Sequence, residues 1–162
     1  MWRFASGPGT TPGWRSEKIL DEYLVAVASP AILAKYGPLP GAAGLAGVPL
    51  LHGTELDWGS WCAGDTDPLT RLRGAFIDDS AALLSATIEG LGFGILRWTL
   101  AAGELQAGRV VLASTQVMRY RFAYHFVCPE AYMVLPKVVA LRDWLLRQAQ
   151  QFAAPPVLNE TV

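Results

Sequence analysis

Phe76-Ile77-Asp78-Asp79-Ser80, followed by AALLSATIEGLG (81–92) and Phe93-Gly94-Ile95-Leu96, is the stretch that decides the fold. It reads as a strand end, a helix, a glycine stop and a second strand. Asp78, Asp79 and Ser80 are residue types that cap helix N-termini, Leu84, Ile88 and Leu91 recur at i, i+4 and i+7, and Gly90 or Gly92 suits a left-handed helix end. The pattern predicts a βαβ crossover whose helix starts at the carboxyl end of a strand. Unpaired N–H groups and partial positive charge at such a helix start favour a small polar ligand. Asp78, Asp79 and Ser80 have a plainer role too, as helix caps; the two roles are compatible because one cap needs only one of them.

The size of the chain, 162 residues, suits one domain or two small lobes, with roughly 70% of the unfolded surface buried on folding. With 52% hydrophobic and 17% charged residues it is apolar-rich, yet it has no run of about eighteen apolar residues that would span a bilayer. A net charge of −1 and no dense Lys/Arg cluster argue against nucleic-acid contact by this chain itself, because phosphates require a basic face. The first twenty residues, with Pro8, Pro12 and several glycines, lack the apolar segment of a secretory signal, so a cytoplasmic location is expected. Cys62 and Cys128 are expected to be free, buried thiols.

Along the chain, ASGPGTTPG (5–13) reads as a turn-rich loop and Lys18 to Ala28 as a strand. Ser29-Pro30 then caps and opens a short helix from Ala31 to Tyr36, stopped by Gly37-Pro38. The glycine- and proline-rich residues 37–49 leave a poor short helix around Ala42 to Ala46. A short strand is expected from Leu50 to His52, one helical turn from Asp57 to Cys62, a polar loop GDTDPLTR and a strand from Leu72 to Ile77. After the crossover, Thr99 is expected to cap a helix through Leu105. Two further strands, Arg109 to Ala113 and YRFAYHFVC (120–128), precede an amphipathic helix from Pro136, with Val138, Leu141, Leu145, Ala149 and Phe152 on one face. Pro155-Pro156 ends that helix. The order indicates an α/β domain with much parallel pairing.

The run FIDDSAALLSATIEGLGFGI resembles the effector-domain crossover of LysR-type transcriptional regulators, in the branch that holds the glycine-cleavage activator and the regulator of inducible β-lactamase. RFASGPG, RSEKILDEYLVAVASPAIL, LLH, DWGSWC, AYHFVCPE and PKVVALRDWLLRQAQ fall around it in the family's order, from Arg3 to Gln150. The resemblance implies an α/β, periplasmic-binding-protein type 2-like two-lobed fold with two hinge-crossing strands. The domain is then 1–153, with one lobe from 1–26 and 124–153, the other from 27–123, and a disordered tail at 154–162. It also implies that a DNA-binding helix-turn-helix, a linker helix and a first βαβ precede the counterpart of Arg3. None is present in this sequence, so the first lobe is expected to be incomplete. Dimerisation, swapping or poor solubility are the expected consequences.

On that resemblance the ligand lies between the lobes, near Ser6, Asp78, Asp79, Ser80 and Tyr124. Ser6 falls where family members contact effector and suits hydrogen bonding to a carboxylate; as a residue close to the chain start it is equally well read as mobile. Tyr124 and His125 are sent to opposite faces by strand alternation; the resemblance favours Tyr124 as the pocket residue, and a buried, hydrogen-bonded aromatic is the other reading of it. Trp58, Trp61 and Trp98 are expected in the core. Neighbouring Asp78 and Asp79 point in different directions, which argues against a catalytic acid pair. His52 and His125, with the two cysteines, lack metal-ligand spacing; no phosphate-binding glycine loop or catalytic triad is visible.

The expectation is an effector-sensing domain without catalysis, cofactor or metal, whose partners are a small polar or anionic effector and other copies of the chain. DNA is reached only through the absent helix-turn-helix. A solute-binding protein of the same fold serving a transporter is the alternative, and an enzyme on this scaffold a third possibility.

Overall fold

A computed structural model of the chain describes residues 3–6, 12–39, 45, 47–53, 58–61 and 74–156. The helix expected around Ala42 to Ala46, Cys62, the GDTDPLTR loop and most of the expected tail lie outside these residues. The elements are β1 (Arg3–Ser6), β2 (Trp14–Ala28), α1 (Pro30–Tyr36), β3 (Leu50–His52), α2 (Trp58–Trp61), β4 (Gly74–Phe76), α3 (Ser80–Ile88), β5 (Phe93–Arg97), α4 (Trp98–Gln106), β6 (Val111–Pro129), a 3₁₀ turn (Glu130–Tyr132) and α5 (Pro136–Gln151). The strands follow the order β1-β6-β2-β5-β3-β4. β3 pairs both β4 and β5 in parallel, whereas β2 pairs β5 and β1 pairs β6 antiparallel. The sheet is therefore mixed.

Two compact units are present. Unit 1 comprises 1–22 and 119–154, and unit 2 comprises 23–118 and 155–162, so β2 and β6 each run through both. In unit 2, Tyr23 to Ala28 supply a β-branched and aromatic strand in which Leu24 to Ala28 are all buried. Ser29 then caps α1, its Oγ accepting from the Ile32 N–H at 3.4 Å, Pro30 opens the helix, and Gly37 at φ 78° ends it. Val25, Val27, Leu51, Leu83, Leu96, Trp98 and Ala101 form the core with Val110 and Val117. Trp58 and Trp61 are buried as expected, and the Trp58 Nε1–H donates to the Leu51 carbonyl at 3.0 Å, so the indole's polar edge is satisfied inside.

Helix α3 centres its buried face on residues other than the expected Leu84, Ile88 and Leu91, of which Leu84 and Ile88 still pack against the core. Leu83, Ala86 and Thr87 are buried, Leu84 and Ile88 are half-buried, and Leu91 is exposed beyond the helix end. Thr87 is fully buried because its Oγ1–H donates to the Leu83 carbonyl at 2.8 Å, which satisfies the hydroxyl within the helix. That lets α3 lie directly on β5: a Cβ at Gly94 would stand 2.6 Å from Thr87 Oγ1.

Two elements differ from expectation. The strands expected at 109–113 and 120–128 are one strand of 19 residues. The intervening Ser114 to Arg119 contains no glycine or proline to break it, and Val117 is buried on the same face as Ala113. Helix α4 starts at Trp98, with Arg97 in the capping position and no side-chain cap bond, so Thr99 lies within the first turn instead of before it.

In unit 1, Arg3 to Ser6 pair with 124–127. The 3₁₀ turn is tied back by the Glu130 N–H to the Gly13 carbonyl at 2.9 Å. Phe126, Cys128 and Val138 form its core, with Ile19, Met133 and Leu145 packed against it. Leu141 and Phe152, expected on the buried face of α5, are partly exposed, and Trp144 is 50% exposed. On the strands, Asp21 accepts from Arg119 Nη2 at 2.9 Å and from Lys18 Nζ at 3.1 Å.

The close seating of α3 predicts that Gly94→Ala destabilises the chain by roughly 1–3 kcal/mol, as overpacking does, read as a lower urea midpoint. Asp21 supplies a pH test. Burial raises its carboxyl pKa, but the hydrogen bonds and charges of Arg119 and Lys18 outweigh this and hold it below the ordinary aspartate value. A depressed folded-state pKa stabilises the fold above the unfolded-state pKa, and that stability is lost as pH falls through the folded value. Asp21→Asn is expected to cost up to about 1 kcal/mol at neutral pH, a difference from wild type that vanishes in denaturation curves taken below the aspartate range.

Candidate functional site

The end of β4 is pinned to β3 by the Ile77 N–H donating to the His52 carbonyl at 2.8 Å. From there the chain turns through Asp78 into α3. Asp79 is the N-cap, extended at φ −134° and ψ 127°, and its Oδ1 accepts from the Ala82 N–H at 2.7 Å. Its backbone carbonyl accepts from the Leu83 N–H at 2.8 Å. Asp78 is exposed at the bend, and Ser80, the first helical residue, is half-buried. The capping role is thus filled by Asp79 alone, leaving the Asp78 carboxylate and the Ser80 hydroxyl to other partners.

Ser80 has one. Arg97, the last residue of β5, donates from Nη2 to Ser80 Oγ at 3.1 Å. Because Ser80 Oγ acts as acceptor, its own O–H remains a donor. Arg97 Nε is buried and has no acceptor. The carboxyl ends of β4 and β5 therefore bring together a helix N-terminus, a hydroxyl and a guanidinium, all within unit 2. Arg97 was not among the residues singled out from sequence. The signal for it was a lone basic residue closing the apolar run Phe93 to Leu96.

Ser6 and Tyr124 belong to unit 1. They are Cα partners in the antiparallel β1·β6 pair, which brings these two expected site residues side by side. Tyr124 is half-buried. His125, next along the strand, faces Ser16, with 3.2 Å between Nδ1 and Oγ. Asp78, Asp79 and Ser80 are likewise adjacent, in unit 2.

Among the described residues no group of three His, Cys, Asp or Glu side chains is placed to hold a metal ion. Cys128 is buried and free. His52 packs its ring across β4, where a Cβ at Gly74 would stand 2.7 Å from its Cδ2, and its Nε2 is buried without a partner. Among the described residues no helix is long and apolar enough to cross a membrane.

A sequence-family profile, the LysR substrate binding domain, matches residues 4–150. The chain belongs to this family. The glycine cleavage system transcriptional activator of Escherichia coli K12 is 33% identical over 145 residues, covering 88% of this chain and 48% of the relative. The chain thus spans about half the length of the curated relatives it matches. Among solved structures, the AmpR effector binding domain of Citrobacter freundii aligns with a TM-score of 0.74 at 19% identity, over 93% of this chain and 75% of that one. The AmpR effector domain of Pseudomonas aeruginosa gives 0.72 at 20%, over 93% and 72%. The CrgA regulatory domain of Neisseria meningitidis gives 0.70 at 22%, over 90% and 74%. At these identities the structures establish the fold, which is the periplasmic-binding-protein type 2-like fold of LysR effector-binding domains. The family and its named relatives decide against the transporter solute-binding alternative.

Loss of the cap gives a direct check on this helix start. Asp79→Ala is expected to cost about 1 kcal/mol, and Asp79→Asn to retain most of it, as measured by urea denaturation.

Proposed function

We propose that this chain is the effector-sensing part of a LysR-type transcriptional regulator. It binds a small polar or anionic molecule and performs no catalysis. The observation that carries the reading is the α3 N-terminus with the Ser80 hydroxyl and the Arg97 guanidinium at the strand ends, in a chain of this family. Asp78, Asp79 and Ser80 in unit 2 and Ser6 and Tyr124 in unit 1 are the proposed contacts. Unit 1 and unit 2 are taken as the two lobes of the family fold.

An effector acts on such a domain only through unequal affinity for two conformations of it. The resulting population shift is passed to DNA by a helix-turn-helix domain elsewhere in the whole regulator, acting within a homo-oligomer in the cytoplasm. One structural neighbour of the same fold, the full-length regulator LysG of Corynebacterium glutamicum, has a bound arginine effector. This supports a small polar molecule as the class of ligand here.

A thermal-shift screen of amino acids, aromatic acids and cell-wall fragments tests the reading. At least one compound is expected to raise the melting temperature, a ligand present at 100 times its Kd adding about 2.7 kcal/mol. The shift is expected to shrink in Ser80→Ala and Tyr124→Phe and to persist in Val134→Thr, whose side chain is 79% exposed. A panel without any shift, or shifts untouched by both site substitutions, refutes the sensor assignment.

A further inference from the structure

We propose that Arg97 is the specificity-determining anchor for a single carboxylate group of the effector. The proposal rests on the effector-binding reading and names the chemistry of its ligand. Four other described arginines have a charged or aromatic partner. Arg109 lies against Glu104, Arg119 against Asp21 and Arg142 against Asp143, while Arg121 stacks over the Phe122 ring. Arg97 is half-buried and its hydrogen bond goes to a neutral hydroxyl, Ser80 Oγ at 3.1 Å. Its Nε is buried with no acceptor at all.

A guanidinium stays protonated under all conditions in which a protein is folded, and it presents donors in a fixed planar fork. Removing one of those donors from water without an acceptor is unfavourable. An oxyanion at the Nη edge of the fork answers the guanidinium charge, receives the Ser80 O–H and faces the positive end of α3. The charge of that anion is limited by what else stands at the turn. Asp78 and Asp79 are both exposed there, Asp79 with Oδ1 held by the Ala82 N–H. Two exposed carboxylates at the turn that leads into Ser80 oppose a second negative charge on the ligand, so a monocarboxylate fits and a dicarboxylate or phosphate does not.

The test uses the full 162-residue chain with acetate and benzoate as probes, benzamide as the neutral counterpart of benzoate, and succinate and inorganic phosphate as dianions. Two readouts are followed, the melting temperature and the Nε–H resonance of Arg97, assigned by its loss in Arg97→Lys. A monocarboxylate is expected to move that resonance and raise the melting temperature, with benzamide and the dianions doing neither. Arg97→Gln is expected to weaken monocarboxylate binding by roughly tenfold or more. Its ligand-free melting temperature is expected to stay at or above wild type, which a purely structural arginine would not allow. The proposal is overturned if monocarboxylates bind Arg97→Gln as well as wild type, if neither moves the Arg97 resonance, if dianions bind as tightly, or if ligand-free Arg97→Gln loses stability. Should compounds from the wider screen still bind without needing Arg97, this anchor is wrong and the sensor reading stands. Should nothing bind, the sensor reading falls with it.

Discussion

The close seating of α3 on the sheet governs the chemistry of unit 2. Thr87 on the helix and Gly94 on β5 meet where no side chain larger than hydrogen fits on the strand. With that separation set, Leu83 and Ala86 reach the Leu51 and Leu96 face. The helix start is consequently held beside the strand ends, and Ser80 falls within reach of Arg97. A helix standing further off would have the same caps and the same dipole without the guanidinium beside it. Packing in the core, more than the capping residues themselves, sets which polar groups meet at the surface.

Much of this was legible in the sequence because the signals were local. The caps Asp79 and Ser29, the proline at the start of α1 and the glycines that close α1 and α3 each act over three or four residues, and each is found where the sequence places it. The buried tryptophans follow from their apolar neighbours. What the sequence hid was longer in range. The face that α3 buries depends on Thr87, whose hydroxyl reads as polar until its bond to the Leu83 carbonyl is seen. The single strand β6 was divided by its polar middle residues, since composition does not reveal the pairing that keeps them extended. The mixed sheet order came from non-local pairings that no local pattern encodes.

The candidate site shows the same division. Asp78, Asp79 and Ser80 could be read as a group because they are consecutive. Ser6 and Tyr124 are separated by most of the chain and are paired by the β1·β6 register. Their association came to the sequence reading only through likeness to a family. Arg97 was missed because an arginine after an apolar strand looks like an ordinary strand terminus. Its meaning lies in a hydrogen bond to a neutral hydroxyl, Ser80 Oγ, and in one nitrogen with no acceptor, both of which are properties of the folded chain.

Unit 2 draws on one continuous segment up to Met118, whereas unit 1 takes its strands from both ends of the chain. The core of unit 1 joins Ile19 to Phe126, Val138 and Leu145. On a ribosome, then, the first strand of that core emerges early and waits for partners made after all of the 23–118 segment. Joining ends so far apart carries a loop-closure entropy cost. Folding of the intervening segment shortens the effective tether, so a nascent chain that completes the middle first assembles its two ends at less entropic cost than one that attempts the reverse order.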